Sequence, residues 1–141
     1  MILNLMDMTT ELMVEKCIDL LHENDLSCIL TSVSDAGYPL ATVIKPICGL
    51  SLETIYFILD KKAELVKNYN RNSKGGISYY SGKNSVQLTG DVSVISAEKL
   101  CEDVTDTHLF STCVPNGCVL LKFATDESHI HIGEENYVLK T

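Results

Sequence analysis

Short segments rich in β-branched and apolar residues, each followed by a turn sequence, limit the possible fold more than any other feature. They predict eight strands, at residues 27–34, 38–47, 54–59, 77–80, 86–95, 117–124, 129–132 and 137–139. Helical patterns occur only at residues 9–24, 61–72 and 97–108, too few to alternate regularly with the strands. The pattern therefore predicts a mainly β protein, an antiparallel barrel whose openings are covered by helices.

The length and the apolar content indicate a single domain. The chain has 141 residues, of which 45% are hydrophobic, enough to form one buried core. We expect one domain over residues 1–141, with an N-terminal helix at about 9–24 and the barrel at about 27–140.

Several residues mark where these elements turn or end. Asp35-Ala-Gly37 predicts a tight turn with a positive φ at Gly37, and Gly90 predicts a bulge or a close backbone approach inside a strand. Asp60 suits the N-cap of the second helix. Gly75 and Gly76 are expected to lie in the loop that ends it.

The charge distribution excludes some partners and favours another. A net charge of −8 disfavours nucleic acids and anionic membranes. Between residues 45 and 83, however, seven basic residues face only three acidic ones, so an anion has one favourable region.

No signal peptide and no apolar run long enough to span a membrane is seen, which predicts a cytoplasmic protein with reduced cysteines.

No set of side chains resembles a catalytic or metal centre. His129 and His131 are expected to face solvent opposite Ile130 and Ile132, because two ligands alone do not hold a metal. Cys113 and Cys118 fit no common zinc spacing, and no Gly-x-Ser-x-Gly or phosphate-binding glycine loop occurs. We therefore predict no catalytic residue and no metal, and expect any chemistry to come from a cofactor.

An ordered set of motifs connects the chain to a known family. The motifs are Cys28-Ile-Leu-Thr-Ser-Val-Ser-Asp-Ala-Gly-Tyr-Pro39, Ile55-Tyr-Phe57, Asn68 to Asn72, and Val86-Gln-Leu-Thr-Gly90. With this order and spacing the chain resembles the pyridoxamine 5′-phosphate oxidase-like, FMN-binding split barrels, in particular the small general-stress type. The resemblance implies a homodimer that holds FMN at its interface and performs flavin-dependent oxidoreduction on an unidentified small molecule. True pyridoxamine phosphate oxidase activity is not expected, since the only arginine is Arg71.

The resemblance also implies which residues contact the cofactor. The strand after Gly-Tyr-Pro would line the flavin ring, the end of the third strand and the start of the next helix would meet the phosphate, and a later strand would present an amide. These cofactor-binding positions are Thr42, Val43, Ile44, Lys45, Leu59, Asp60, Lys61, Lys62 and Gln87.

Two alternatives remain open for the phosphate and for the function. Lys61, Lys62 and Lys45 with the Asp60 to Ala63 amides would hold a phosphate, or the two adjacent lysines are a solvated turn. The Asp60 carboxylate would compete for the same amides. The family commonly has Thr, Ser and Lys where this chain has Leu59, Ala63 and Leu65. The alternative function is therefore a non-catalytic binding or regulatory module that has lost tight flavin binding.

Overall fold

The computed structural model describes residues 2–47, 51–96 and 114–140. Two helices and seven antiparallel strands make up the described residues, which confirms a mainly β fold. Their bounds are α1 Ile2–Glu23, β1 Cys28–Val33, β2 Pro39–Ile44, β3 Thr54–Asp60, α2 Glu64–Arg71, β4 Lys74–Ser81, β5 Asn84–Ile95, β6 Cys118–Ile132 and β7 Glu135–Lys140.

The seven strands form one sheet in the order β2-β1-β4-β5-β6-β3, with β7 paired to β6 beyond the β3 segment. β2 and β3 are thus the two ends of the path. They meet at one point, where the Ile47 amide donates to the Tyr56 carbonyl oxygen at 2.9 Å. The sheet therefore curls toward closure at Ile47 and stays open along the rest of β2, the geometry of a split barrel.

The core lies on the concave side of the sheet. Leu30, Ile77, Leu88 and Phe123 have no exposed surface there, because alternate residues of each strand point inward. α1 packs on β4 and β5, and α2 packs on β1 and β5. The third strand, nearly continuous in apolar residues, was predicted to be buried, and Ile55, Tyr56 and Phe57 confirm this.

Two helix boundaries differ from the sequence prediction. α1 begins at Ile2 rather than near Thr9, since the residues before Thr9 are mostly good helix formers without Gly or Pro. α2 begins at Glu64 with Ala63 as its N-cap, so Asp60 is not the cap and residues 61–63 form a turn before the helix. The helix predicted at residues 97–108 lies outside the described residues.

The structure has one long strand, β6, where the sequence predicted two shorter ones. Residues 117–124 and 129–132 were expected to be two strands separated by a turn, but a single strand runs from Cys118 to Ile132. Glu127 and Ser128, expected in that turn, pair with Thr89 and Leu88 of β5. The long neighbouring strand β5 therefore keeps β6 extended despite its polar centre, a tertiary effect that local turn signals do not report.

The glycines gave both correct and incorrect predictions. Gly37 has φ 88° in the β1–β2 turn, and the register between β5 and β6 shifts between Thr89 and Gly90, as expected. Gly75 and Gly76 instead lie inside β4. A Cβ on Gly75 would lie 2.9 Å from the Tyr69 ring, so glycine there allows α2 to approach the strand.

Candidate functional site

Strand β2 is exposed along nearly its whole length, with only Ile44 half-buried. Thr42 lies opposite Leu30 and Ile44 opposite Cys28, so these side chains point to the concave face. Val43 lies opposite Ile29 on the convex face, and 72% of its surface is exposed. A mostly apolar strand that is exposed over most of its length is unusual in a folded chain.

Lys45 follows β2 and already has a partner. Its Nζ donates to Asp25 Oδ2 at 2.8 Å, and this hydrogen bond is the main reason that the pKa of Asp25 is lowered. Asp25 and Leu26 have φ of 54° and 63°, a left-handed backbone that non-glycine residues rarely adopt. This turn between α1 and β1 directs the Asp25 carboxylate toward Lys45, and both side chains of the pair are exposed.

The turn between β3 and α2 contains Asp60, Lys61 and Lys62, with both lysine side chains exposed. The Lys61 amide donates to the Gly117 carbonyl oxygen at 2.9 Å, and the Lys62 amide donates to Asp60 Oδ1 at 2.8 Å. The Ala63 amide donates to the Asp60 carbonyl oxygen at 2.9 Å. Three of the four backbone donors considered for a phosphate, those of Lys61, Lys62 and Ala63, are therefore bonded within the chain.

Leu59, Ala63 and Leu65, the three residues that depart from the family pattern, have apolar side chains in or beside the core. Leu65 is 5% exposed in the core beneath α2, and Leu59 is half-buried against the same core. Ala63 caps α2 and offers no side-chain hydrogen bond. Apolar packing therefore occupies these positions, and their side chains provide no donor for a cofactor.

Gln87 lies on the convex face, opposite His129 and Ser78 in the neighbouring strands. Strand pairing extends this row of side chains from Val43 on β2 to Val138 on β7. Gln87 also lines a shallow depression of about 280 Å³ with both strand histidines. Thr42 and Gln87 therefore lie on opposite faces of the sheet and cannot meet around one ligand within one chain.

The two histidines are placed as the sequence predicted. His129 and His131 lie on the convex face, whereas Ile130 between them is 1% exposed in the core. His129 pairs with Glu127 at 2.7 Å, and His131 Nδ1 lies 2.5 Å from Asn136 Oδ1. Among the described residues no group of three or more His, Cys, Asp or Glu is arranged to hold a metal ion.

A buried polar network beneath the β1–β2 turn was not predicted. Asn68 of α2 has no exposed surface, and its Nδ2 donates to the equally buried Ser32 Oγ at 2.9 Å. Arg71 Nη2 donates to Asn68 Oδ1 at 2.5 Å, and Arg71 Nε lies 3.7 Å from the Asp35 carboxylate. The available signal was a polar side chain beside Leu65, Val66 and Tyr69 in the buried stripe of α2.

The buried titratable side chains are held in their neutral forms. Burial raises the pKa of Cys28 to about 11 and that of Cys17 to about 12. Burial also raises the pKa of Tyr69 and of Tyr79, whose hydroxyl groups donate to the carbonyl oxygens of Thr31 and Cys17. These thiols and phenols therefore stabilise the core and are not activated as nucleophiles.

None of the described helices is long and apolar enough to cross a membrane. Three features of the described residues bear on the function: the split sheet, the exposed strand β2 and the basic turn after β3.

The profile of the pyridoxamine 5′-phosphate oxidase family matches residues 13–124. The chain belongs to this family. No curated protein matches the chain significantly.

Solved structures share the fold at low sequence identity. A protein from Clostridium acetobutylicum related to general stress protein 26 is 14% identical, with a TM-score of 0.67 over 85% of this chain and 89% of that one. A heme binding protein from Mycobacterium smegmatis is 12% identical, with a TM-score of 0.65 over 81% of this chain and 52% of that one. An FMN binding, pyridoxamine 5′-phosphate oxidase-related protein from Nostoc punctiforme is 13% identical, with a TM-score of 0.59 over 86% and 92%.

Proposed function

We propose that this protein is a homodimer that binds FMN between its subunits and uses it for oxidoreduction of a small molecule. The observation that carries the proposal is the position of the expected cofactor contacts on two faces of the sheet. Thr42 is on the concave face of β2, and Gln87 is on the convex face of β5. A site that uses both needs the convex face of a second copy beside β2 of the first.

The exposed surface supports a second copy as that partner. Val43 and Tyr80 are 72% and 65% exposed on the convex face, and Val138 is 54% exposed at its far edge. Burying such apolar surface would contribute about 25 cal/mol for each Å² removed from water. A surface that pairs with its own copy would cover both the convex face and the open side of β2.

The residues present fit the ring of a flavin better than its phosphate. Leu40 and Thr42 give the concave side of β2 an exposed, mostly apolar surface that suits a flat ring, with backbone groups at the strand edge. A phosphate would meet the side chains of Lys61 and Lys62 but not the amides of that turn. A bound flavin would supply hydride exchange at its N5, and the chain would orient the ring.

The second candidate is a non-catalytic binding or regulatory module. It is supported by the Lys45 ion pair with Asp25 and by the three bonded amides after β3. In this version the fold binds another flat ligand, or its open strand β2 binds a partner directly. The cytoplasmic location stays a prediction from the sequence.

Subunit complementation tests the main proposal. Thr42→Glu damages the concave contact and Gln87→Glu the convex one, so each variant alone should lose FMN binding. Mixed and allowed to exchange subunits, the two variants should regain roughly a quarter of the sites, because half of the dimers are mixed and each has one intact site. Lys67→Glu, which changes an exposed residue of α2, is the charge control and should bind like the original chain.

Fluorescence quenching of FMN measures the sites, and sedimentation confirms that each variant remains a dimer. A mixture that binds no more FMN than the separate variants would contradict a site shared between subunits. Binding that neither variant impairs would show that the ligand lies elsewhere.

A further inference from the structure

The turn between β3 and α2 has the charge of an anion site but not its free donors. Lys61 and Lys62 are exposed, and among the described residues neither side chain has a recorded hydrogen-bond or ion-pair partner. Phosphate sites usually combine such cations with several backbone N–H groups. In this turn the N–H groups of Lys61, Lys62 and Ala63 already donate to acceptors within the chain.

Asp60 binds two of the three amides in this turn. Its carboxylate oxygen Oδ1 accepts from the Lys62 amide at 2.8 Å, and its carbonyl oxygen accepts from the Ala63 amide at 2.9 Å. The third amide, from Lys61, is bonded to the Gly117 carbonyl oxygen at 2.9 Å. A ligand phosphate would have to displace these bonds and would also meet the negative charge of Asp60.

The lysine side chains of this turn are weak substitutes for its backbone donors. Lys61 and Lys62 are long, exposed side chains, and an exposed ion pair contributes little because water and salt screen it. Lys45 pairs with Asp25 at 2.8 Å, and this pair is exposed as well. The charged groups at this turn are therefore two exposed lysine side chains and the Asp60 carboxylate, which already binds the Lys62 amide.

We propose that Asp60 determines ligand specificity by occupying, with its own carboxylate, the place of a ligand phosphate. The site then takes a flat ring ligand without a phosphate, such as riboflavin, about as well as it takes FMN. This inference rests on the proposed flavin site and adds the ligand class that the site selects. It differs from the expectation that a phosphate anchors the ligand.

Parallel titrations of the full chain with riboflavin and with FMN test the proposal. For the original chain we expect the two dissociation constants to lie within about tenfold of each other, and closer at high salt, because only exposed lysine pairs distinguish the ligands. Asp60→Ala frees the Lys62 amide and removes the charge. It should tighten FMN by about tenfold or more while leaving riboflavin nearly unchanged.

Glu64→Gln is the matched control, since it removes one exposed carboxylate from the first turn of α2 without freeing an amide. It should tighten FMN by no more than about threefold. Asp60→Asn removes the charge but keeps an acceptor for the Lys62 amide, so its effect should lie between those of the other two variants. It also serves as the readout if Asp60→Ala does not fold, which thermal unfolding would reveal.

Three results would overturn the role of Asp60. They are a preference of the original chain for FMN above about tenfold, a gain in Glu64→Gln as large as in Asp60→Ala, and no gain for FMN in either Asp60 variant. All three require that flavins bind, so they leave the proposed function intact. If neither riboflavin nor FMN binds the original chain, the proposed function itself fails, and this inference fails with it.

Discussion

Replacement of Gly90 by alanine should be among the most damaging single-methyl changes in the chain. Gly90 lies where the register between β5 and β6 shifts, with the two backbones unusually close. A Cβ added there would lie 2.1 Å from the Ala124 carbonyl oxygen and 2.9 Å from its carbon. Both atoms belong to the backbone, so no side-chain rotation relieves the contact.

The size of the effect follows from the required movement. To reach an ordinary contact, β6 must move away by about 1 Å or more, which distorts the ladder with β5 around residues 89–92. Overpacking costs about 1–3 kcal/mol, and each weakened ladder bond adds about 1 kcal/mol. We expect a loss of about 3 kcal/mol or more in unfolding free energy, or about 10 °C in Tm for a chain of this size.

Urea unfolding followed by circular dichroism measures this loss. Gly76→Ala on the adjacent strand β4 is the control, because a Cβ there lies 3.3 Å from the Leu88 carbonyl oxygen and needs only a small adjustment. It should cost less than about 1 kcal/mol. A Gly90→Ala chain within 1 kcal/mol of the original would refute the close approach of β5 and β6.

Two further predictions concern the buried polar groups. Asn68→Ala leaves the buried Ser32 hydroxyl without its donor and releases Arg71, so it should lower the free energy of unfolding in urea by about 2–4 kcal/mol. The control Asn70→Ala, on the exposed side of α2, should lower it by less than about 1 kcal/mol. Equal losses in the two variants would contradict the network. Burial raises the pKa of Cys28 to about 11 and that of Cys17 to about 12, so iodoacetamide at pH 8 should modify both thiols more slowly than Cys118. Peptide mass spectrometry measures the three rates, and equal rates would contradict the burial of Cys17 and Cys28. In the folded chain the pKa values of both thiols lie above the ordinary value of 9.0, so the folded state favours their neutral forms. The stability that the neutral thiols contribute is therefore complete below about pH 9 and is lost as the pH rises through about 11 to 12.

Local patterns identified those parts of the fold that depend on neighbouring residues. The turn at Gly37 and the buried strand over Ile55 to Phe57 follow from turn chemistry and apolar runs, and the structure confirms both. The irregularity at Gly90 was visible as a glycine inside a strand pattern. These signals are local because the residues that cause them are close in sequence.

The errors lie where a distant element decides the local structure. Glu127 and Ser128 read as a turn, yet pairing with β5 keeps them in a strand. Gly75 and Gly76 read as a helix end, yet pairing with Gly90 and Thr89 of β5 keeps them inside β4. In each case the sequence carries no local trace of the partner.

The candidate site shows the same limit. The resemblance named β2, the turn after β3 and Gln87, but it did not predict that Thr42 and Gln87 lie on opposite faces of the sheet. The Asp60 carboxylate was expected to cap the amides of this turn; it accepts from the Lys62 amide, although Ala63 and not Asp60 is the N-cap of α2. The Lys45 pair with Asp25 was not predicted, since it joins residues 20 positions apart through a left-handed turn.

Sedimentation velocity of the purified chain with added FMN, recorded at a flavin absorbance band, shows whether two subunits together bind the flavin. The chain contains no tryptophan, so absorbance above 300 nm reports the flavin alone. At tens of micromolar FMN we expect the flavin signal to move with a boundary of dimer mass, at one flavin per chain. Flavin that stays free at these concentrations, or that moves with a monomer, would contradict a flavin site built between two subunits.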